Sequence, residues 1–205
     1  MQTVILLMAG SGKRVGLDIN KLMVKVNNKR IYEYSLDTFL SLGLNVILVV
    51  SETDYDTVLE ETKGKALVVV GGKTRNESVK NALKHVKTDR VMIHDAARAL
   101  VSKDIIEKCI NSKALAYYVC VPEKNTIRDF KTNKTYNRDS LAVVQTPQGG
   151  DTSLFLKYED LSTTDDISSF DNLDIDIEKI EGNDYNFKIT TKFDLKIFEE
   201  LVKGE

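Results

Sequence analysis

Short apolar runs alternate with stretches of mixed polarity along the first two thirds of this 205-residue chain. The runs are rich in β-branched residues, which is typical of strands buried on both faces of a parallel sheet. They cover residues 3–8, 46–50, 66–70, 91–93 and 117–121. The alternation predicts an α/β fold with a Rossmann-like, doubly wound, mostly parallel sheet that binds ligands at the carboxyl ends of its strands.

Two of the intervening stretches have the spacing of amphipathic helices, with apolar residues three and four positions apart. The first would bury Tyr32, Leu36, Phe39 and Leu40, and the second Val79, Ala82, Leu83 and Val86. Thr74 is followed three positions later by Glu77, which predicts a capping box at the start of the second helix.

Two regions depart from the alternation. Residues 125–144 are polar and rich in threonine, and a turn signal at 132–134 predicts a β-hairpin arm, at about residues 123–145, that projects from the sheet. Beyond residue 171 the pattern predicts a strand over 175–180, a short strand around Phe187 and a final helix. Phe198, Leu201 and Val202 would form the buried face of that helix. We find no repeat and no linker, so we expect one domain over residues 1–205.

Composition excludes several classes of partner. The formal net charge is -2, so no overall positive field favours nucleic acid. The first apolar run is too short to cross a membrane or to serve as a signal-peptide core. Cys109 and Cys120 have neither metal-site spacing nor a disulfide framework, which favours a cytoplasmic protein.

The first apolar run ends in a sequence suited to binding phosphate, Ala9-Gly10-Ser11-Gly12-Lys13-Arg14. Glycines let backbone N–H groups approach an anion closely, and Arg14 and Lys21 can neutralise its charge. The spacing matches neither the P-loop nor the dinucleotide fingerprint. A nucleoside triphosphate site is therefore one interpretation, and a flexible strand-to-helix turn is the other.

Other candidates follow later strands. Asp95 belongs to the segment 94–98, which directly follows the run 91–93, and it either holds Mg²⁺ or pairs with Arg98. His94 is either a base or a structural histidine. Gly71-Gly72 opens a helix, where backbone groups and Ser78 could read a nucleobase or could simply form a turn and a cap.

Two more candidate functional sites lie on the arm with its return and near the end of the chain. Arg138 on the arm and the residues 145–148 form a polar patch that is either functional or an exposed hairpin with its return. Lys188 taken alone is a solvated strand lysine.

Taken together, these motifs occur in an order that closely resembles the 2-C-methyl-D-erythritol 4-phosphate cytidylyltransferases of non-mevalonate isoprenoid synthesis. The shared motifs are AGSGKR at 9–14, Lys21, Gly71-Gly72 with Arg75 and Ser78, HDAAR at 94–98, Arg138, QTPQ at 145–148, TDD at 164–166 and NFKIT at 186–190. The resemblance runs nearly from end to end and implies transfer of CMP from CTP to a polyol phosphate, with release of pyrophosphate and with Mg²⁺ as cofactor.

The resemblance also implies a role for each matching residue. Arg14 and Lys21 would stabilise the transition state, Arg138 and Lys188 would position the second substrate with Thr126 nearby, and Asp95 would bind the metal. The nucleotide-binding set would be Met8, Ala9, Gly10, Ser11, Gly12, Gly72, Lys73, Ser78 and Ala96. The arm would be exchanged in a homodimer, so that Arg138 and Thr126 serve the partner's site.

Several positions depart from the family pattern. Lys73 stands where an acidic residue is common, and Asn125 and Asn137 replace aspartates beside the two arm residues. Two alternatives to this function are also open at this point. One is ribitol-5-phosphate cytidylyltransferase, which has the same fold and reaction, and the other is a catalytically inactive nucleotide-binding relative.

Overall fold

A computed structural model describes residues 2–10, 20–158, 163 and 165–203. Ser11, Gly12 and Arg14 of the predicted phosphate loop lie outside the described residues, and so does Thr164. The strands are β1 (Gln2–Leu7), β2 (Lys25–Val26), β3 (Lys29–Arg30), β4 (Asn45–Val50), β5 (Leu67–Val70), β6 (Arg90–Asp95), β7 (Ala116–Pro122), β8 (Ala142–Asp151) and β9 (Ile177–Glu181). The α-helices are α1 (Ile31–Ser41), α2 (Tyr55–Thr62), α3 (Arg75–Leu83), α4 (Lys103–Asn111), α5 (Thr152–Tyr158) and α6 (Lys192–Lys203).

Seven of these strands form one sheet in the order β5-β4-β1-β6-β8-β7-β9. Along the sheet from β5 through β4 and β1 to β6, each strand is parallel to the next, and β9 is parallel to β7. Strand β8 is antiparallel to both of its neighbours. The predicted α/β, Rossmann-like and mostly parallel sheet is therefore confirmed, and the carboxyl ends of β1, β4, β5 and β6 lie at one edge.

Helices cover both faces of the sheet. In β1, Val4 and Leu6 pack in one apolar cluster with residues of α1, α4 and α6, whereas Ile5 and Leu7 pack in a second cluster with residues of α3 and α5. Successive side chains of a strand point to opposite faces, so both sets of β1 side chains are buried. This double burial is the reason why the strand reads as one continuous apolar run.

The ends of two helices differ in part from the sequence prediction. Thr74 Oγ1 accepts a hydrogen bond from the N–H of Glu77 at 3.1 Å, which confirms the cap of α3. The Glu77 carboxylate, however, accepts from the N–H of Lys73 at 2.6 Å. In α6, Phe198 and Val202 are buried, but Leu201 is 36% exposed, so its predicted burial is wrong. The apolar face of α6 is narrower than its composition suggests.

The segment around Phe187 is not a strand. Residues 187–190 have no regular secondary structure, and the N–H of Ile189 donates to the carbonyl oxygen of Ala97 at 2.8 Å. A single backbone contact to the loop after β6 replaces the ladder of a strand. This contact brings Lys188 next to the carboxyl end of β6.

The arm is an exposed hairpin with little regular pairing. Its predicted turn is present, with Asn133 at φ 55° and its N–H donating to the carbonyl oxygen of Asp129 at 2.9 Å. One antiparallel bridge joins Arg128 to Thr135, and Phe130 at the tip is fully exposed. No helix in the described part of the chain is long and apolar enough to cross a membrane.

Candidate active site

A cleft of about 430 Å³ opens where β1, β5 and β6 end. Residues from widely separated parts of the sequence line it. Among the residues predicted for the site, the cleft brings together Met8, Ala9, Gly10, Lys21, Gly72, Lys73, Ser78, Asp95 and Lys188. The carboxyl edge of the sheet is therefore the candidate site, as the alternation of strands and helices predicts.

The turn at Gly71-Gly72 is shaped by its contact with α3. A Cβ atom on Gly72 would lie 2.3 Å from the Cβ of Glu77, and one on Gly71 would lie 2.7 Å from Ser78 Oγ. The Ser78 hydroxyl accepts from the N–H of Gly72 at 3.0 Å and donates to the carbonyl oxygen of Thr74 at 2.8 Å. Only glycine fits this close approach, and the two hydrogen bonds of Ser78 fix the turn at the edge of the cleft.

Lys21 is placed in the cleft by its neighbour Asn20. The Asn20 amide donates to the carbonyl oxygen of Met8 at 3.0 Å and to Asp54 Oδ2 at 2.9 Å, and its Oδ1 accepts from the N–H of Leu22 at 3.1 Å. These bonds tie the short helix Lys21–Met23 to the end of β1. Sequence reasoning did not find Asn20, because a single asparagine with no motif around it gives no local signal.

The Asp95 carboxylate meets one cation on each oxygen. Oδ1 accepts from Arg75 Nε at 3.2 Å, and Oδ2 accepts from Lys188 Nζ at 2.6 Å. Burial alone would raise the pKa of Asp95, but the positive charges of Arg75 and Lys188 outweigh it and hold the pKa well below its usual range. Asp95 is therefore ionised throughout the physiological pH range.

Arg75 also binds a second carboxylate, that of Asp166. Its Nη1 and Nη2 donate to the two oxygens of Asp166, each at 2.7 Å, and the Asp166 side chain is 2% exposed. Burial alone would lower the pKa of Arg75, but the charges of Asp166 and Asp95 outweigh it and raise the pKa. Sequence reasoning placed Arg75 in a motif without a role, and its partners lie 20 and 91 positions away.

A chain of hydrogen bonds behind Asp95 gives His94 a structural role. His94 Nε2 lies 3.1 Å from the carbonyl oxygen of Arg98, which can only accept, so Nε2 carries the proton. Burial lowers the pKa of His94 to about 4, so Nδ1 of the neutral ring is an acceptor. Thr146 Oγ1, at 3.0 Å, therefore donates to Nδ1, and it accepts from the N–H of Asp95 at 3.1 Å.

The predicted alternative for Asp95, an ion pair with Arg98, is wrong. None of the ion pairs within the described ranges joins these two residues. Arg98 Nη1 donates to the carbonyl oxygen of Asn186 at 2.8 Å, and Nη2 donates to that of Val144 at 3.3 Å. Arg98 thus links the loop after β6 to the segment that carries Lys188.

The residues 145–148 form a buried support beneath the site. Asn186 Nδ2 donates to Gln145 Oε1 at 3.0 Å and to the carbonyl oxygen of Thr146 at 2.8 Å. Gln148 Oε1 accepts from the N–H groups of Asp166 and Ile167, at 3.0 and 3.1 Å. Gln145 therefore holds the chain two residues before Lys188, and Gln148 holds the backbone at Asp166.

Comparison with known proteins identifies the family. A sequence profile described as IspD, 2-C-methyl-D-erythritol 4-phosphate cytidylyltransferase, matches residues 2–203. The chain belongs to this family. The resemblance drawn from the motifs is thereby confirmed, and the IspD family is a family of nucleotidyltransferases.

Individual relatives agree with the assignment. A protein of Clostridium tetani (strain Massachusetts / E88) named 2-C-methyl-D-erythritol 4-phosphate cytidylyltransferase is 38% identical, over 97% of this chain and 89% of the relative. The crystal structure of 4-diphosphocytidyl-2C-methyl-D-erythritolsynthase from Anaerococcus prevotii DSM 20548 has a TM-score of 0.86 at 26% identity, over 100% of this chain and 96% of that chain. The bifunctional IspDF of Campylobacter jejuni has a TM-score of 0.84 at 27% identity, and the match covers 95% of this chain and 53% of that longer chain.

Three residues that the IspD resemblance assigns to the site do not line the cleft. Ala96 is fully buried behind it, and its neighbour Ala97 lies on the lining. Thr126 and Arg138 lie on the exposed arm, where Arg138 Nη1 donates to the carbonyl oxygen of Lys124 at 3.2 Å. The described part of one chain therefore gives the cleft Lys21 and Lys188 but not the two arm residues.

From the part of its lining that the structure describes, the cleft offers a metal ion one carboxylate, that of Asp95. This suits a hard divalent cation whose other ligands are water and substrate phosphates. The described ranges contain no group of three His, Cys, Asp or Glu side chains that could enclose a metal ion. Mg²⁺ usually binds one or two protein carboxylates together with water and substrate phosphates. Asp95 is ionised and lines the cleft, so it fits such a site.

Thr146→Val tests the hydrogen-bond chain behind Asp95. The change keeps the shape but removes the hydroxyl, which leaves the N–H of Asp95 and Nδ1 of His94 buried without a partner. We expect the free energy of unfolding to fall by about 2–4 kcal/mol, measured by urea denaturation. The matched control is Thr62→Val. The buried Thr62 hydroxyl donates to the carbonyl oxygen of Val58 at 2.9 Å, and that oxygen keeps its backbone hydrogen bond within the helix when the hydroxyl is removed. Equal losses of unfolding free energy in the two variants would contradict the proposed chain of hydrogen bonds.

Proposed function

We propose that this protein transfers CMP from CTP to 2-C-methyl-D-erythritol 4-phosphate and releases pyrophosphate. The observation that carries the proposal is the set of charges around one cleft: Lys21, Lys188 and the ionised Asp95 stand beside the turn at Gly72. The IspD family assignment supports the reaction and the choice of both substrates.

The chemistry needs little beyond positioning and charge. The attacking group is a phosphate oxygen of the polyol phosphate, which is already ionised at neutral pH, so no general base is required. That oxygen forms a bond to the α-phosphorus of CTP, the bond from this phosphorus to the bridging oxygen breaks, and pyrophosphate leaves. Repulsion between two anions and the charge on the leaving group are the barriers, and fixed cations lower both.

The nucleotide would lie between the end of β1 and the turn before α3. In this proposal Met8 to Gly12 surround the phosphates, Arg14 and Lys21 neutralise charge at the α-phosphate, and Gly72, Lys73 and Ser78 face the base, with Ala96 near the ribose. The backbone of Lys73 is held by the bond from its N–H to Glu77, whereas its side chain is exposed. That side chain can therefore contact the nucleotide.

The proposed cofactor is Mg²⁺, with Asp95 as its protein ligand. When bound, the ion would neutralise phosphate charge and orient the triphosphate. Lys188 reaches Asp95 through one contact, and its side chain is 37% exposed. It can therefore turn toward the phosphate of the second substrate while Arg75 stays on the other oxygen of Asp95.

The remaining cation of the proposal comes from the arm. Arg138, with Thr126, would position the second substrate together with Lys188, and both arm residues would reach the cleft of a partner subunit in a homodimer. The exposure of the arm and of Phe130 at its tip supports a surface that another chain covers. We also propose that the protein works in the cytoplasm, where both buried cysteines would remain reduced.

A two-substrate assay tests the proposal. Purified protein with CTP, Mg²⁺ and 2-C-methyl-D-erythritol 4-phosphate should release pyrophosphate, and ribitol 5-phosphate should react far more slowly. Pyrophosphate release is measured with each acceptor and without any acceptor. A reversed preference would contradict the second substrate, and no release with either acceptor would favour a catalytically inactive relative.

A further inference from the structure

We propose that Arg75 is a positioning residue, which Asp166 holds in place and which fixes the Asp95 carboxylate for the transfer reaction. The inference rests on the proposed function and names a further residue on which that function depends. It starts from a contrast between the two cations on Asp95.

The two cations are held very differently. Lys188 makes a single contact to Asp95 Oδ2 and is more than one-third exposed. Arg75 makes three contacts, one to Asp95 Oδ1 and two parallel ones to a carboxylate that is itself 2% exposed. A guanidinium has five N–H donors in a rigid plane and can bind both carboxylates at once, which a lysine cannot do. Lys188 is therefore the cation that is held loosely on Asp95, and Arg75 is the one that is held firmly, by its two bonds to Asp166.

Arg75 controls the rotation of the Asp95 carboxylate, which the backbone contacts of Asp95 do not determine. The backbone of Asp95 is fixed by its place in β6 and by the bond from its N–H to Thr146. Neither contact determines the rotation of the carboxylate. With Oδ1 held by Arg75, Oδ2 points toward Lys188 and the cleft, where a substrate-bound cation would need it.

Arg75 is not needed merely to hold Thr163 and the segment 165–170 against α3. Its neighbour Asn76 already makes that connection, because its Nδ2 donates to the carbonyl oxygen of Thr163 at 2.9 Å and to its hydroxyl at 3.3 Å. Asn76 is 5% exposed, so its loss should destabilise the protein as well. The pair Asn76 and Arg75 therefore separates a structural effect from an effect on Asp95.

Steady-state kinetics of Arg75→Ala, Arg75→Lys and Asn76→Ala test the inference. A misplaced catalytic group can cost about a hundredfold, so we expect Arg75→Ala to lower kcat about a hundredfold and to change KM for CTP less than about threefold. Arg75→Lys keeps the charge but not the three contacts and should lose about tenfold in kcat. Asn76→Ala should keep kcat within about twofold of the wild type, even if its melting temperature falls as much as that of Arg75→Ala.

Two further variants keep the test decisive. If Arg75 acts through Asp95, Arg75→Ala should have little further effect on kcat in an Asp95→Asn background. Should Arg75→Ala fail to fold, Asp166→Asn keeps the shape and should still lower kcat several-fold. Undiminished kcat in folded Arg75→Ala, or equal losses for Asn76→Ala, would overturn the inference and leave the proposed function intact. An inactive wild-type protein would overturn both.

Discussion

Replacing Lys188 by alanine is expected to lower kcat/KM for the second substrate by about two to three orders of magnitude, equivalent to about 3–4 kcal/mol. The affinity for CTP, measured by calorimetry, should change less than about threefold. Lys188 Nζ lies 2.6 Å from Asp95 Oδ2 at the mouth of the cleft, where it can meet an incoming phosphate. Its loss removes a cation from the attacking anion and leaves Arg75 to keep Asp95 ionised.

Lys196→Ala is the matched control, because Lys196 is an exposed lysine of α6 away from the cleft lining. It should leave both constants unchanged. Equal losses in turnover and in CTP affinity for Lys188→Ala would show that Lys188 binds the nucleotide, and its proposed role with the second substrate would then be wrong.

The second large effect is expected for Asp95→Asn. The amide keeps the shape of the carboxylate but carries no charge, so the cleft would hold Arg75 and Lys188 without the anion between them. We expect kcat to fall about a thousandfold, since a metal ion contributes several kcal/mol to charge stabilisation. The Mg²⁺ dependence of CTP binding should also be lost, which calorimetry with and without EDTA measures.

Asp174→Asn is the control for this experiment, because it removes a negative charge from an exposed position with the same change of side chain. It should leave both turnover and the effect of EDTA as in the wild type. If Asp95→Asn kept the Mg²⁺ dependence of CTP binding, the metal would need another ligand, and the assignment of Asp95 would be withdrawn.

Much of the fold could be predicted from the pattern of apolar residues. The runs at 46–50 and 91–93 lie within β4 and β6, because strands covered on both faces need apolar side chains at every position. The antiparallel course of β8 was not predicted, since a strand's direction depends on where the chain returns to the sheet. The predicted strand around Phe187 was wrong for a related reason. The fold places this segment beside the loop after β6, where it makes one backbone contact to Ala97 and does not pair along a neighbouring strand.

The candidate site was predicted unevenly. Gly72 and Asp95 could be found, because a glycine turn before a helix and a carboxylate at the end of a buried strand are local sequence signals for a site at the edge of a sheet. The roles of Asn20 and Thr146 could not, because each acts through a hydrogen bond to a residue far away in the sequence. Arg98 was paired with the wrong partner, since proximity in sequence favoured Asp95 while the fold offered it two carbonyl oxygens.

By itself the sequence determined the order along the chain of the strands β1, β4, β5, β6 and β7, the edge of the sheet at which the candidate site lies, and the motifs that identify the family. These properties depend on local periodicity and on residue types at short spacing. Only the tertiary structure decided which charges meet: Arg75 bridges Asp95 and Asp166, and Lys188 reaches Asp95 across 93 positions. The energy of a charge depends on its burial and on partners within a few ångströms, and the fold alone sets those distances.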